Sequence, residues 1–208
     1  MGDEKRPRRR DALDRAEAIF REHGGALRTM EAIRLGVHPR TLYAMRDAGT
    51  LVRLARGLYR LADLPPLGEP DLVTVALRIP DGVLCLLSAL AFHEMTTEIP
   101  HEVYVALKRG AEPPRLEHPP LRVFWFTGDT FTEGVETHDV DEVPIRIYSP
   151  AKTVADCFKY RNTIGLEVGL EALKTYIRDR RGSPDQVMAC ARTCRVENVV
   201  RPYIEALL

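Results

Sequence analysis

The 208-residue chain contains no run of about 18 apolar residues, so the sequence predicts no membrane-spanning helix. Its first ten residues, MGDEKRPRRR, are not followed by the apolar segment that a secretion signal requires. Arg6 also stands where an N-myristoylation motif has Ser or Thr. We therefore expect a cytoplasmic protein with no membrane partner.

Cysteine is scarce and scattered, and the four residues do not form the pattern of a disulfide framework. Cys190 and Cys194 lie one helical turn apart, but neither a CxxC motif nor a nearby histidine completes a zinc site. We expect reduced, structural cysteines and no metal site.

The patterns of common nucleic-acid enzymes are also missing. Asp139 and Asp141 resemble the paired carboxylates with which nucleotidyltransferases hold Mg²⁺, but the upstream segment TGDTFTEG lacks the Gly-Ser phosphate cradle of those enzymes. A polar hairpin turn explains these aspartates better. No Asp/Glu-x-Lys occurs on a predicted strand, and His93 and His101 have no Ser or Cys nucleophile beside them. The sequence therefore predicts no catalytic residue, no cofactor and no small-molecule substrate, and we do not expect an enzyme.

The net charge of zero hides an uneven distribution. Residues 1–65 carry 14 Lys and Arg against 9 Asp and Glu, residues 66–150 carry 6 against 14, and residues 151–208 carry 10 against 7. A basic first third followed by an acidic middle indicates two surfaces with different partners. Part of the basic excess lies in a tail, residues 1–10, which could be a flexible arm on the DNA backbone or simply a solvated tail.

The segment after this tail is organised as three helices and a hairpin. Asp11 can cap a first helix that ends near residue 23, a short second helix spans about 29–35, and Pro39 opens a third within GVHPRTLYAMRDAG. The alternation of apolar and polar residues in TLVRLARGLYRLA predicts a β-hairpin. This order predicts a winged helix-turn-helix over residues 11–64.

The third helix has little to bury. Leu42 and Met45 can face a core, with Ala48 continuing the stripe, while two arginines, a hydroxyl and a phenol face outward. In a winged helix-turn-helix this helix enters the major groove, where such side chains meet base edges and phosphates. The wing adds three more arginines. We interpret these seven residues as a DNA-binding site, although winged helices also serve as protein-interaction modules: Arg40, Thr41, Tyr43, Arg46, Arg53, Arg56 and Arg60.

The rest of the chain reads as a separate α/β domain. LADLPPLGEPD is rich in Pro and Gly and predicts a linker around residues 62–70. Beyond it, segments of strand composition such as HEVYVAL, LRVFWFTG and VPIRIYS precede a stretch that turns helical from Pro150 onward. We expect an α+β protein: a winged helix-turn-helix followed by a mixed α/β domain over 70–208 with a helical C-terminus.

The run LGVHPRTLYAMRDAGTLVRLARGLYRLAD resembles the N-terminal winged helix of the AbiEi family of type IV antitoxins. The resemblance continues in LLSALAFHEMTTEIPHEVYVALKRG, VPIRIYSPAKTVADCFKYRNTIG and GLEVGLEALKTYI, and it covers about residues 11–180. It implies a transcriptional regulator of a phage-defence toxin–antitoxin system, a repressor that binds inverted repeats in its own promoter. It also implies a functional partner, an AbiEii-type nucleotidyltransferase toxin encoded beside it.

One polar group in the second domain has two interpretations. Lys152, Asp156 and Lys159 share one face of the helix predicted in SPAKTVADCF. The simpler interpretation is a helix with i,i+4 pairing, Ser149 as its cap and Pro150 at its first position. The functional interpretation makes this face a contact for the toxin or for an operator phosphate, and the sequence does not choose between the two.

Two classes of function remain open at this point. The first is a DNA-binding repressor that doubles as an antitoxin. The second is a nucleic-acid-processing enzyme, a nuclease or nucleotidyltransferase, that a winged helix targets to DNA. The missing metal and nucleophile patterns favour the first.

Overall fold

The computed structural model describes residues 5–113, 115–179 and 182–208. The chain divides into two compact units. The first comprises the chain up to Arg78 together with Arg115–His118 and Val140–Val143, and the second comprises the remainder. Residues 1–4 of the predicted basic tail lie outside the described residues.

The first unit is a winged helix-turn-helix followed by one more helix, which confirms the fold predicted for this part of the chain. Its elements in chain order are α1 (Lys5–Glu22), β1 (Ala26–Arg28), α2 (Thr29–Arg34), α3 (Pro39–Asp47), β2 (Leu51–Ala55), β3 (Leu58–Leu61) and α4 (Pro70–Arg78).

The strands of the first unit form one antiparallel sheet in the order β1-β3-β2. Tyr59 of the central strand lies between Leu27 of β1 and Arg53 of β2. Apolar side chains of the helices pack with the sheet into one core, made of Ala16, Phe20, Leu27, Ala32, Val37, Leu42, Met45, Leu51, Tyr59 and Leu61. The core stripe predicted on α3 is confirmed for Leu42 and Met45, whereas Ala48 is exposed because the helix has ended before it.

Helix α1 begins at Lys5 rather than at Asp11. Lys and Arg have high helix propensity, and Pro7 falls in the first turn, where its missing N–H costs no hydrogen bond. Asp11 therefore lies inside the helix, and its carbonyl accepts a hydrogen bond from Arg15 Nε at 3.1 Å. The backbone of residues 5–10, which belong to the predicted basic tail, is helical.

The segment after β3, predicted as a linker, is held by several polar contacts. Arg60 donates to the carbonyl of Pro65 at 2.7 Å, and Asp63 pairs with Arg21 of α1. The backbone N–H groups of Gly68 and Glu69 donate to the carboxylate of Asp141 at 2.9 and 3.2 Å. The first compact unit continues through α4, and the domain boundaries inferred from composition stay a prediction.

The second unit is a mixed α/β structure with a helical C-terminal part, as expected from the sequence. Its elements are β4 (Val83–Leu84), α5 (Leu86–Phe92), β5 (Val103–Lys108), β6 (Leu121–Phe126), α6 (Asp129–Thr132), β7 (Val135–Val140), β8 (Val143–Tyr148), α7 (Pro150–Lys159), α8 (Arg161–Ile164), α9 (Leu166–Lys174), a π-helical segment (Thr175–Asp179), α10 (Pro184–Thr193) and α11 (Glu197–Glu205).

Helix α7 is the centre of the second unit. The sheet has the strand order β6-β5-β4-β8-β7, with parallel and antiparallel pairs, and α7 packs against α5, α9 and α10. Every residue from position 151 to 158 is buried. Gly134, with φ +71°, allows α7 to pack closely against the residue that precedes β7. A Cβ at that position would lie only 2.7 Å from the Cβ of Lys152.

Candidate nucleic-acid interface

Helix α3 is defined at both ends by its own sequence. His38 caps it by accepting the backbone N–H of Arg40 on Nδ1 at 3.1 Å, and Pro39 occupies the first helical position. Gly49 follows the helix with φ +75°, the left-handed conformation that glycine adopts without strain. The inward side of α3 is fully apolar at Leu42 and Met45, so its remaining positions are free to carry polar groups.

The outward side of α3 presents the residues that the sequence singled out. Arg40 and Arg46 are exposed, Tyr43 is 42% exposed, and Thr41 is half-buried. An exposed Tyr between two arginines combines an aromatic surface with cations, as contacts to sugars, phosphates and guanine edges require.

Arg46 already has partners within its own unit. Its guanidinium donates to Asp47 Oδ1 at 2.6 and 2.9 Å and lies 5.0 Å from the centre of the Tyr43 ring. Hydrogen bonding to Asp47, and more weakly to Tyr59, raises the pKa of Arg46. The arginine is therefore fully charged and oriented before any ligand arrives.

The wing places Arg53 near this helix. Arg53 is the cross-strand neighbour of Tyr59, whose side chain interacts with Arg46, so both arginines lie on the same side of the sheet. Arg56 is exposed in the turn between β2 and β3, next to Gly57, whose φ is +72°. The helix and the wing thus present cations together.

Thr29, the first residue of α2, fixes the wing turn. Its backbone N–H donates to the carbonyl of Gly57 at 2.8 Å, and its hydroxyl donates to the same oxygen at 3.3 Å. This role of Thr29 could not be predicted from the sequence, because a contact between residues 28 positions apart leaves no local signal.

Arg60 is the member of the predicted set that the structure separates from the others. It follows Tyr59 on β3, and successive side chains of a strand point to opposite faces. Its guanidinium is bound to the carbonyl of Pro65. Arg34 on α2 is exposed and was not predicted; a single arginine at a helix end gives no pattern that could have identified it.

The structure corrects the functional interpretation of Lys152 and Asp156. Both are fully buried, and Lys152 Nζ lies 2.6 Å from Asp156 Oδ2. Lys152 also lies 4.1 Å from the ring centre of Tyr148, and the thiol of Cys194 donates to Asp156 Oδ1 at 3.2 Å. The pair is therefore not accessible to a toxin or a phosphate at the surface, while Lys159 is half-buried.

Burial controls the acid–base properties of this interior cluster. It raises the pKa of the Asp156 carboxyl, although Lys152 acts in the opposite direction. Burial likewise raises the pKa of Cys194 to about 12, so this cysteine stays a thiol at neutral pH. The helix begins as predicted, with the Ser149 hydroxyl accepting the N–H of Lys152 and Pro150 at the first position.

The remaining candidate residues have structural roles in this fold. Asp141 and Glu142 form the turn between β7 and β8 with φ of +51° and +64°, which confirms the polar hairpin turn for Asp141, whereas Asp139 lies within β7. His93 ends α5, and its Nε2 lies 2.8 Å from the carbonyl oxygen of Tyr148.

Among the residues that the structure describes, no three His, Cys, Asp or Glu side chains cluster as metal ligands. Within the same residues, no helix is long and apolar enough to cross a membrane.

Fold and surface together define a winged helix-turn-helix whose third helix has a cationic outer side. Residues 14–62 match the profile of the AbiEi_4 family, described as "Transcriptional regulator, AbiEi antitoxin". The match lies within the first unit, so the winged helix-turn-helix of this chain is similar to that of the AbiEi antitoxin transcriptional regulators.

The whole fold is similar to the crystal structure of the RV2827C protein from Mycobacterium tuberculosis. The two chains are 11% identical, the match covers 85% of this chain and 79% of that one, and the TM-score is 0.50. At this identity the likeness shows the fold alone. No curated protein sequence matches the chain.

Proposed function

We propose that the outward side of α3 and the wing bind operator DNA in the promoter of the gene itself, so that the protein represses its own synthesis. Arg40, Tyr43 and Arg46 would enter the major groove, with Arg53 and Arg56 on the flanking backbone or in the minor groove. Inverted repeats are the form of operator expected from the family resemblance.

One observation carries this proposal: α3 is a nine-residue helix that buries two side chains and exposes two arginines and a tyrosine. A helix that served only the core would gain nothing from this outward surface. A protein-interaction module would have an apolar patch at its centre, whereas the exposed ring of Tyr43 here lies against the guanidinium of Arg46.

We further propose that the protein counteracts a nucleotidyltransferase toxin of the AbiEii type, as a type IV antitoxin in phage defence. The support is the family of the first unit. An enzyme that a winged helix targets to DNA is the alternative, and no observation on the second unit favours it over the antitoxin.

The proposed binding to operator DNA is tested by footprinting the purified protein on the promoter upstream of its own gene. Protection of a repeated sequence in that promoter, abolished by Arg40→Ala, is the expected result. Arg15→Ala on α1 is the matched control, because Arg15 is exposed and helical but lies outside α3. Equal protection by Arg40→Ala and wild type would contradict the assignment of α3.

The proposed antitoxin activity is tested in cells that express the neighbouring gene from a separate, inducible promoter. If that gene encodes a nucleotidyltransferase that arrests growth, co-expression of this protein from a foreign promoter is expected to restore growth. A toxin that remains fully active in the presence of the protein would refute the antitoxin role. It would not contradict the proposed binding to operator DNA.

A further inference from the structure

A polar cavity of about 610 Å³ lies in the second unit, where the end of β6 meets the ends of α7 and α10. Lys159 and Arg195 contribute two cations to its wall, against one carboxylate, Asp129. Neither cation forms a salt bridge with any residue that the structure describes. Thr127 and Thr193, which carry hydroxyl groups, also line the cavity, so its lining combines cations with side chains that can donate hydrogen bonds to an anion.

An aromatic cleft of about 510 Å³ lies along β6, an edge strand of the sheet. Trp125 lines it and is 49% exposed, a large fraction for so apolar a ring. The indole is fixed by its Nε1, which donates to the carbonyl of Ala111 at 3.2 Å. Two more residues of the cleft matter for a ligand. Tyr160 supplies a second aromatic ring, and Arg109 supplies an exposed cation.

The cavity and the cleft are neighbours. Lys159 of the cavity and Tyr160 of the cleft are consecutive residues, and the Lys159 Nζ lies 5.8 Å from the Tyr160 ring centre. Trp125 of the cleft stands two residues before Thr127 of the cavity. A ligand in both would meet aromatic surface at one end and two cations at the other.

We propose that the second unit binds a free nucleotide at this site, with its phosphates on Lys159 and Arg195 and its base against Trp125. Bases stack on aromatic rings whatever their identity, and phosphates are held by cations with hydroxyl donors. Both volumes fall in the range of small-molecule sites, roughly 300–1,000 Å³. The site is made of the second unit alone and does not depend on the proposed DNA contact.

The full-length protein reports on this site directly, because Trp125 is its single tryptophan. Titration with ATP, excited at the red edge of indole absorption, is expected to quench the fluorescence saturably. Adenosine and sodium pyrophosphate each supply one half of the ligand, so each should bind at least about tenfold more weakly than ATP. Pyrophosphate in excess should still compete with ATP and restore part of the fluorescence.

Two variants with equal charge loss separate the site from general electrostatics. Lys159→Gln/Arg195→Gln is expected to weaken ATP at least about tenfold, whereas Lys174→Gln/Arg178→Gln, outside both cavities, should bind like wild type. Circular dichroism checks that each variant is folded. The conservative variant Lys159→Arg/Arg195→Lys keeps both positive charges and should bind ATP like wild type. Calorimetry with Trp125→Ala should show weaker ATP binding and unchanged pyrophosphate binding.

Three results would overturn the proposal. The first is a wild-type fluorescence that no nucleotide quenches at millimolar concentration. The second is equal ATP binding by both double variants. The third is quenching by a single-stranded oligonucleotide or by duplex DNA but not by ATP, since the site would then be a nucleic-acid contact rather than a nucleotide pocket.

Discussion

Arg46 forms an ion pair with Asp47 in the free protein, before any contact with DNA. In the free protein its guanidinium bonds to Asp47 on one side and lies over Tyr43 on the other. A phosphate or a guanine edge would replace Asp47 as the acceptor, and part of the favourable interaction with DNA would be offset by the loss of that pair. If α3 binds DNA as proposed, Asp47 would weaken the affinity while it holds the side chain of Arg46 in place.

Asp47→Asn is expected to tighten operator binding roughly two- to fivefold at moderate salt, because it releases Arg46 and removes one negative charge near the phosphates. Fluorescence anisotropy with a labelled operator duplex measures the change. Asp63→Asn is the matched control, since Asp63 pairs with Arg21 rather than with a residue of α3. Unchanged or weaker binding by Asp47→Asn would show that Asp47 does not compete with DNA.

The buried Lys152–Asp156 pair belongs to the stability of the second unit. Lys152→Met alone leaves a carboxylate in the interior without its cation, and we expect a loss of about 3–5 kcal/mol in the free energy of unfolding. Lys152→Met combined with Asp156→Leu removes both charges and is expected to recover most of that loss. Urea denaturation followed by circular dichroism measures both values.

The outcome that contradicts this account of the pair is additivity. If the double variant were destabilised by the sum of its single variants, the two charges would not interact in the folded state. The burial of this pair was not predictable from the sequence, because i,i+4 pairing looks the same on a solvated helix and in a core.

At the scale of elements, the parts that the sequence predicted are those defined by local chemistry. Helix α3 has Pro39 at its start and Gly49 after its end, and the hairpin turns at Gly57. Strand β1 was not predicted, because its three residues become a strand only through pairing with β3, 30 to 34 positions away. Pairing at that distance leaves no periodic pattern in so short a segment.

The wing and the helix-turn-helix are joined by Thr29. Thr29→Val keeps the shape of the side chain but loses the hydroxyl bond to Gly57, and we expect a loss of about 1 kcal/mol in the free energy of unfolding. Operator affinity should fall as well, because Arg56 sits in the turn that this bond fixes. Thr29→Ser, which keeps the hydroxyl, should behave like wild type in both measurements. Equal stability and affinity for Val and Ser would remove the positioning role.

The two units of the molecule differ in charge and in what they expose. The first carries the exposed arginines of α3 and the wing, and most of the acidic middle of the chain lies in the second. The domain boundaries inferred from charge and composition stay a prediction, and a sequence pattern could not show how the chain is partitioned between the two units. The turn Val140–Val143 is grouped with the first unit through contacts that depend on the tertiary structure.

If DNA binding and toxin relief belong to different units, they should separate in the full-length protein. Arg40→Ala/Arg46→Ala, expressed from a foreign promoter, should no longer repress a reporter under its own promoter yet should still restore growth to cells that express the toxin. Reporter activity and colony counts measure the two effects. Loss of both activities in a folded variant would show that relief depends on repression.

The central claim is that α3 binds DNA, and operator affinity as a function of salt tests it most directly. Arg40→Ala/Arg46→Ala is compared with Arg15→Ala/Arg192→Ala, which removes the same charge from exposed helical positions outside α3. The α3 variant should bind at least about tenfold more weakly at one salt concentration. Where these arginines neutralise phosphates, its slope of log K against log salt should be shallower by about 0.9 for each phosphate that is no longer neutralised. The control should match wild type in both, with thermal unfolding unchanged for all three proteins. Wild-type affinity and slope in the α3 variant would contradict the account.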